Sequence, residues 1–305
     1  MSTPPSAASA TPTTHLVIAF AVLYVVWGST YLGMAVAIET MPPLAMAAVR
    51  FAIAGGLLMG VLRIAGVPGP TPRQWRSAAL TGGLLFLGGN GLVCWAQQTV
   101  PSGITALLIG VTPLWMTLLP WLAGRSPRPR LLVLAGVALG IAGVVVLVGA
   151  PAPVQASGAL VGTMLLLVLA TLSWALGSLS ARVLPLPPSP WMSSAAQMLC
   201  GAAGLGLASL ALGEHLHLAA VSTRSWLAFV YLVLVGSIMG FGAYVYLLQR
   251  TSMAKVSTYA FVNPVVAVVL GWLVLGEPIT LRTLAAGALI VAAVVLILRP
   301  APATA

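Results

Sequence analysis

The chain repeats its own layout once, and each copy holds an odd number of long apolar segments. A shift of 147 residues lays Trp27 on Trp174. After about four extra residues near 213–223, a shift of 151 residues continues the match. The pairs in this second register are Gly89 with Gly240, Gly91 with Gly242, Pro113 with Pro264 and Trp121 with Trp272. Because five spans per copy start the second copy on the opposite side of the bilayer, we predict an inverted-topology repeat, which commonly holds a substrate between its halves.

The composition places the whole chain in a membrane. Of the 305 residues, 60% are hydrophobic and only 5% are charged, which is too little polar surface for a water-soluble protein. The apolar runs reach the roughly 20 residues that a helix needs to cross hydrocarbon. Ten spans are predicted, at 15–38, 42–63, 74–97, 101–122, 131–149, 157–182, 190–211, 224–248, 254–275 and 281–299. The predicted fold class is therefore an all-α integral membrane protein with ten transmembrane helices in two inverted five-helix repeats.

The spans divide the chain into two repeats with short tails. The predicted parts are a disordered cytoplasmic N-terminal tail at 1–14, a first repeat at 15–150, a second repeat at 151–300 and a cytoplasmic tail at 301–305. The N-terminal tail is rich in Ser, Thr, Pro and Ala and carries no basic residue before the first apolar run. We therefore expect that run to be a retained span, since a cleaved signal peptide begins with a basic segment.

The basic residues orient these spans. Arg50 lies within a span, ten of the other twelve Lys and Arg residues flank the ends on the N-terminal side of the membrane, and Arg224 and Arg282 flank the opposite ends. Cytoplasmic loops carry such an excess of basic residues, so both termini are predicted to be cytoplasmic in a bacterial-type inner membrane. The formal charge of +10 is therefore explained by its role in orienting the chain and by attraction to anionic membrane lipid, and no nucleic-acid partner is expected.

Glycine and proline interrupt matching spans in the two halves. The third span carries the glycine-rich stretch 82–91, its counterpart carries glycines at 236–242, and the fourth and ninth spans contain Pro113 and Pro264. Such breaks bend a helix and free backbone groups. The side chains expected to bond the carbonyls freed by the prolines are Thr112 and Asn263. Paired interruptions predict a substrate site between the halves, and fixed kinks in a static bundle are the alternative.

A second set of glycines favours helix packing. Gly136, Gly140 and Gly143 lie on one face of the fifth predicted span, and small residues let helices approach closely in a membrane. We interpret this face as scaffold packing, and a homodimer contact is left open.

Arg50 is the one charged residue predicted deep inside a span, and its role has alternatives. It is expected either to attract a carboxylate or phosphate of a substrate, or to act structurally by bonding carbonyl groups or pairing with Glu39. The three acids, Glu39, Glu214 and Glu277, all fall near the outer face. Without an embedded acidic or histidine relay, facilitated efflux, or coupling through another group, is expected.

Aromatic and neutral polar side chains are the candidate lining of a cavity, because they suit amphipathic or aromatic solutes. The candidate substrate-binding residues are Trp27, Tyr31, Asn90, Trp95, Thr112, Trp115, Trp174, Tyr244, Tyr259 and Asn263. No catalytic pair, metal cluster or phosphate-binding loop is evident from the spacing, so we expect neither an enzyme, nor a cofactor, nor a metal.

The chain resembles a known family in several short stretches. They are Tyr24–Leu32 (YVVWGSTYL), the Val-Arg-Phe that ends at Phe51, Gly88–Gly91 (GGNG), Val100–Ile104 (VPSGI), Tyr259–Val268 (YAFVNPVVAV) and Leu275–Thr280 (LGEPIT). In this order they resemble the EamA-type permeases of the drug/metabolite transporter superfamily, in particular the YedA-like exporters. The resemblance implies two EamA repeats, an inner-membrane location and a central cavity between the halves. It also implies export of metabolites or drugs such as amino acids.

The predicted function is therefore a secondary transporter. We expect it to export small metabolites or drugs, amino acids or similar amphipathic solutes, by alternating access through the cavity between the repeats. A passive solute channel and a non-transporting membrane sensor are the alternatives.

Overall fold

A computed structural model describes residues 13–99, 105, 108–148, 158–275 and 281–298 of the chain. Throughout these residues the regular structure is helical. The helices are α1 (Thr13–Ala37), α2 (Pro43–Ile64), α3 (Pro72–Ala96), α4 (Thr112–Leu122), α5 (Leu131–Val148), α6 (Gly158–Val183), α7 (Pro190–Ala211), α8 (Thr223–Arg250), α9 (Tyr259–Leu275) and α10 (Leu281–Leu298). Short helices at Leu218–Ala220 and Met253–Val256 join them.

The prediction of an all-helical, multi-pass membrane protein is confirmed. Within the described ranges, six helices are long and apolar enough to cross a bilayer. They are Thr14–Ala37, Pro43–Ile64, Pro72–Ala96, Leu165–Val183, Pro190–Ala211 and Thr223–Arg250. Leu131–Gly143 and Leu284–Ile297 are shorter apolar helices. The total of ten spans stays a prediction, and the predicted tails and the loop that carries Glu277 fall outside the described residues.

Hydroxyl caps explain why several helices begin where they do. The Thr71 hydroxyl accepts from the Gln74 backbone N–H at 3.3 Å, and the Gln74 side chain accepts from the Thr71 N–H at 2.9 Å. This reciprocal pair satisfies two backbone donors at the start of α3, and Pro72 supplies a fixed φ in the first turn. Ser189 and Ser222 cap α7 and α8 without the reciprocal bond: their hydroxyls accept from the backbone N–H groups of Met192 and Ser225.

Helices of the first repeat pack mainly against helices of the second. The most extensive associations are α2 with α7 and α5 with α10, followed by α3 with α6 and α1 with α8. At Gly136 and Gly143 of α5, an added Cβ would lie 2.8 and 2.9 Å from side-chain atoms of Ile297 and Ile290. The glycine face of the fifth span therefore packs within the chain, as the scaffold interpretation expected. The homodimer stays untested.

The third helix of each repeat has a wide, π-helical middle. These segments are Gly83–Gly91 in α3 and Leu232–Phe241 in α8; they contain the matched pair Gly89 and Gly240, and Gly242 directly follows the second segment. A π turn adds a residue per turn and is often found at functional sites. The glycine-rich spans that the sequence indicated as easily bent are therefore widened rather than simply kinked.

Candidate functional site

A cavity lies between the two repeats and is lined by residues from both. The space open to the centre of a water molecule is about 80 Å³, which is room for several waters. The predicted site residues that line it are Trp27, Tyr31, Asn90, Thr112, Trp174, Tyr259 and Asn263, together with Arg50. The structure therefore brings together most of the side chains that the sequence analysis selected.

The other three predicted residues lie behind or beside this cavity. Tyr244 is fully buried, and its hydroxyl bonds that of Ser178. The Trp115 indole donates to the hydroxyl of Thr171 at 3.2 Å, and Thr171 lines the cavity. Trp95 lies in a separate apolar hollow, together with leucines of α2, α3, α6 and α7. Tyr244 and Trp115 thus support the wall, and Trp95 does not belong to it.

Two tryptophans cross between the repeats in a reciprocal arrangement. A Cβ added to Gly240 of α8 would lie 2.4 Å from Nε1 of Trp27, which belongs to α1. A Cβ added to Gly89 of α3 would lie 2.8 Å from Cε3 of Trp174, which belongs to α6. The two indole rings meet edge to face, with centroids 5.4 Å apart. Each repeat therefore places its tryptophan against the matching glycine of the other repeat, and those glycines leave the room that the indoles occupy.

An aromatic layer closes one end of the cavity. Trp27 lies 5.0 Å from the ring centroids of both Tyr244 and Tyr259, and Trp174 lies 5.4 Å from Tyr244. Each such pair contributes about 0.5–1.5 kcal/mol beyond the area it buries. Tyr244 is 0% exposed, so the layer is fully packed behind the cavity wall.

Two polar contacts lie beyond this layer. The Tyr24 hydroxyl of α1 and the Thr258 hydroxyl just before α9 are 2.6 Å apart. The Arg182 guanidinium at the end of α6 donates to the Thr251 carbonyl in the loop after α8. The first contact joins the two repeats, and the second joins neighbouring helix ends within the second repeat. Both lie at the same end of the bundle and reinforce it.

Arg50 is buried in the cavity wall with only part of its guanidinium bonded. Its side chain is 3% exposed, and Nε donates to the Ser237 hydroxyl at 2.8 Å. Nη1 has no hydrogen-bond partner among the described residues, and the guanidinium carbon lies 4.7 Å from the Phe51 ring centroid. Within those residues Glu39 pairs with Arg224 at 3.7 Å, so the suggested pair of Arg50 with Glu39 is wrong. The other structural alternative was that Arg50 bonds backbone carbonyl groups; in the structure Arg50 bonds the Ser237 hydroxyl instead.

Gln197, which the shift of 147 residues lays on Arg50, plays a different part. It is fully buried, and its amide donates to the carbonyl and the hydroxyl of Ser193 one turn earlier, at 3.1 and 2.9 Å. It is not among the residues that line the cavity. Among the described residues the buried charge therefore lies in the first repeat, and the cavity is electrostatically asymmetric.

Thr112 and Asn263 bond carbonyl groups beside the two prolines. The Thr112 hydroxyl donates to the Ile109 carbonyl at 2.6 Å, which is the group that Pro113 leaves without an amide donor. With its amide assigned so that the nitrogen faces these carbonyl groups, Asn263 donates to the Tyr259 carbonyl at 3.0 Å and to the Tyr24 carbonyl of α1 at 3.2 Å. The prediction is therefore confirmed for Thr112, whereas Asn263 bonds the carbonyl one residue before the freed one and ties α9 to α1.

Replacing Thr112 with valine should destabilise the protein by about 1–3 kcal/mol, because the Ile109 carbonyl is left buried without its donor. Thermal unfolding of the purified protein in detergent measures the loss. Thr112→Ser keeps the hydroxyl and serves as the control, which should melt near the wild type. If the valine and serine variants unfolded at the same temperature, the Thr112 hydroxyl would not stabilise the helix at Pro113.

Sequence reasoning missed several lining residues that helical spacing could have found. Thr30 and Met34 lie three and seven residues after Trp27, on the same face of α1 as Tyr31. Positions i, i+3, i+4 and i+7 share one helix face. Phe86 and Val93 have that relation to Asn90 in sequence, and they also line the cavity, although the wide turns of α3 weaken this rule there.

The described residues hold no group of three or more His, Cys, Asp or Glu side chains that could bind a metal ion. The two cysteines are free, with Cys94 buried and Cys200 partly so. What the cavity offers is aromatic surface, hydroxyl and amide groups and one guanidinium.

Comparison with known proteins shows which family has this architecture. The profile of the EamA-like transporter family matches residues 15–149 and again residues 161–299. The "Uncharacterized inner membrane transporter YedA" of Escherichia coli (strain K12) is 40% identical over 279 residues, which cover 90% of this chain and 88% of that protein. A "Probable amino-acid metabolite efflux pump" of Salmonella typhimurium is 30% identical over 278 residues, covering 88% of this chain and 89% of that protein.

A solved crystal structure has the same fold. It superposes with a TM-score of 0.77 at 21% identity and covers 94% of this chain and 98% of that chain. The resemblance drawn from the sequence stretches is confirmed by the two family matches and by the 40% identity to an inner membrane transporter. The relatives carry the names of transporters rather than enzymes. The chain belongs to the EamA-like transporter family and is a multi-pass membrane transporter.

Proposed function

We propose that this protein is a secondary transporter that exports small amphipathic metabolites or drugs, amino acids or similar solutes, by alternating access through the cavity between its repeats. The observation that carries the proposal is the reciprocal packing of Trp27 and Trp174 against Gly240 and Gly89. It puts the cavity at the surface where the two repeats meet, which is where a rocking motion changes access. The name of the Salmonella relative supports the substrate class.

The proposal includes ten spans in two inverted repeats, with both termini cytoplasmic in an inner membrane. The excess of basic residues at one set of span ends supports this orientation. The E. coli relative, which carries the name of an inner membrane transporter, supports the location.

In this orientation the aromatic layer lies on the cytoplasmic side of the cavity. Arg182 and Arg250, at the ends of α6 and α8, mark that side by charge, and Tyr244 and Tyr259 lie between those ends and the cavity. The contact of Tyr24 with Thr258 joins the two repeats and would have to break for the cavity to open inward, whereas the contact of Arg182 with Thr251 lies within the second repeat. Each such bond contributes about 0.5–1.5 kcal/mol net, so a solute that binds the two states differently by a few kcal/mol can shift their populations.

Counterflow in proteoliposomes tests the proposal. Vesicles preloaded with an unlabelled solute should transiently accumulate the labelled form when it is added outside, and the initial rate should saturate. A suitable panel contains neutral, aromatic and acidic amino acids beside cationic drugs, with protein-free vesicles as the control. Linear flux without counterflow would favour the passive channel, and flat traces from folded protein would favour the sensor.

A further inference from the structure

We infer that Arg50 is the binding point for a carboxylate of the transported solute. The organic part of that solute would then lie against the aromatic wall formed by Trp27, Trp174 and Tyr259. The inference rests on the proposed function and narrows its substrate class to solutes that carry a carboxylate, amino acids among them.

The first argument is the incomplete bonding of a buried charge. Arg50 is 3% exposed and lies in the cavity wall, well inside α2. A guanidinium has five N–H donors in a planar fork, and here Nε bonds Ser237 while Nη1 has no described partner. A charge held away from water needs a counter-charge or bonds to each donor. A carboxylate supplies both, because its two oxygens match the fork.

The second argument is that the described acids are engaged elsewhere. Glu39 pairs with Arg224 in an exposed position. The two oxygens of Glu214 accept from the backbone N–H groups of Leu44 and Ala45 at 3.2 and 2.7 Å, which caps the start of α2. Neither carboxylate bonds Arg50, so the described part of the chain supplies no acidic partner to its guanidinium.

The third argument is the chemistry around the guanidinium. Asn90, Thr30 and Tyr31 line the same cavity and can bond polar groups of a solute. The indole of Trp27 and the ring of Tyr259 line the same cavity and stand edge to face, with centroids 5.0 Å apart. Aromatic faces accept an apolar side chain or an ammonium group. The cavity therefore pairs one cationic point with an aromatic wall, which suits a small zwitterion or organic acid.

The asymmetry of the two repeats gives this site a single orientation. Gln197, the counterpart of Arg50, bonds Ser193 and does not line the cavity. A solute held by its carboxylate would therefore point that group toward the first repeat's α2 in either access state.

Binding to the purified protein in detergent tests the inference independently of transport. Thermal unfolding is followed with matched acid and amide pairs, namely L-phenylalanine with L-phenylalaninamide, L-leucine with L-leucinamide and benzoate with benzamide. A ligand that binds the folded state raises the melting temperature. We expect at least one acid to bind the wild type about tenfold or more tightly than its amide, the preference that a charge-assisted bond gives.

The variants assign that preference to Arg50. Arg50→Gln should abolish it, Arg50→Lys should keep part of it, and Arg224→Gln should keep all of it as the matched control for loss of an arginine. Ser237→Ala removes the anchor of Nε and should weaken the acids a fewfold with little effect on the amides, which keeps the test decisive if Arg50→Gln does not fold. The inference is overturned if the wild type shows no preference for the acids, or if the preference survives in Arg50→Gln. If Arg50→Gln does not fold, an undiminished preference in Ser237→Ala overturns it instead.

Counterflow with the same pairs separates the two proposals. If saturable exchange is equally fast for the acids and their amides, the proposal of a transporter holds and the proposed role of Arg50 is wrong. Acid binding that depends on Arg50, without counterflow of the bound acids, would support the site and count against export of those solutes.

Discussion

Replacing Gly82 with alanine is expected to destabilise the folded protein by about 1–3 kcal/mol, the range found for an overpacked interior. A Cβ at this position would lie 2.3 Å from the backbone oxygen of Gln197 and 3.1 Å from its carbonyl carbon. Those atoms belong to the backbone of α7, so no side-chain rotation relieves the clash and α3 must move away from α7. Thermal unfolding in detergent measures the effect.

The adjacent residue supplies the matched control. A Cβ added at Gly83 has no neighbouring atom within 4 Å, and alanine is favoured over glycine in a helix by about 0.5–1 kcal/mol. Gly83→Ala should therefore melt at or above the wild-type temperature. If both alanine variants melted alike, the close approach of α3 to α7 at Gly82 would be wrong.

Replacing Trp27 with alanine is expected to lower the saturable counterflow rate more than tenfold. The change removes a wall of the cavity, the contact with Gly240 and the 3.2 Å bond from the indole N–H to the Gly236 carbonyl. It also removes ring contacts with Trp174 and with the tyrosines of the aromatic layer. Removing a buried tryptophan typically costs about 3–5 kcal/mol of stability, so rates must be normalised to folded protein.

Two further variants separate a role in transport from a role in folding. Trp27→Phe keeps an aromatic ring and drops the N–H, so it should retain an intermediate rate. Trp121→Ala removes a tryptophan that is 39% exposed on α4 and outside the cavity, and it should transport nearly as the wild type does. A folded Trp27→Ala protein with a rate within twofold of the wild type would show that this indole is not part of the transport path.

Helix positions and the internal repeat were predictable because they rest on local and length-dependent physics. The predicted span 190–211 coincides with α7, Pro190–Ala211, since a proline near the first turn, a serine cap and an apolar length matched to the bilayer all mark it. The breaks at Pro113 and Pro264 were equally visible, because a missing amide donor has the same effect in any fold.

Which residues would face the cavity was only partly predictable. Trp27, Trp174 and Arg50 were found by their depth, symmetry and charge, and the structure puts all three in the cavity wall. Trp95 was expected there as an aromatic residue inside a predicted span, and it lies in a different hollow. In a membrane, faces of a helix that meet lipid and faces that meet other helices are both apolar, so the sequence carries little signal for helix rotation.

The sequence by itself determined the membrane class, the two matching halves of the chain and the family. The tertiary structure decided that each tryptophan rests on the glycine of the opposite repeat, that Arg50 bonds Ser237 rather than Glu39, and that Gln197 turns away from the cavity. The physical reason is that composition and spacing follow from the thickness of the bilayer and the local backbone. Contacts between residues far apart in the chain, such as Gly89 with Trp174 and Trp27 with Gly240, depend on how packed helices are rotated, which only close packing of the whole bundle settles.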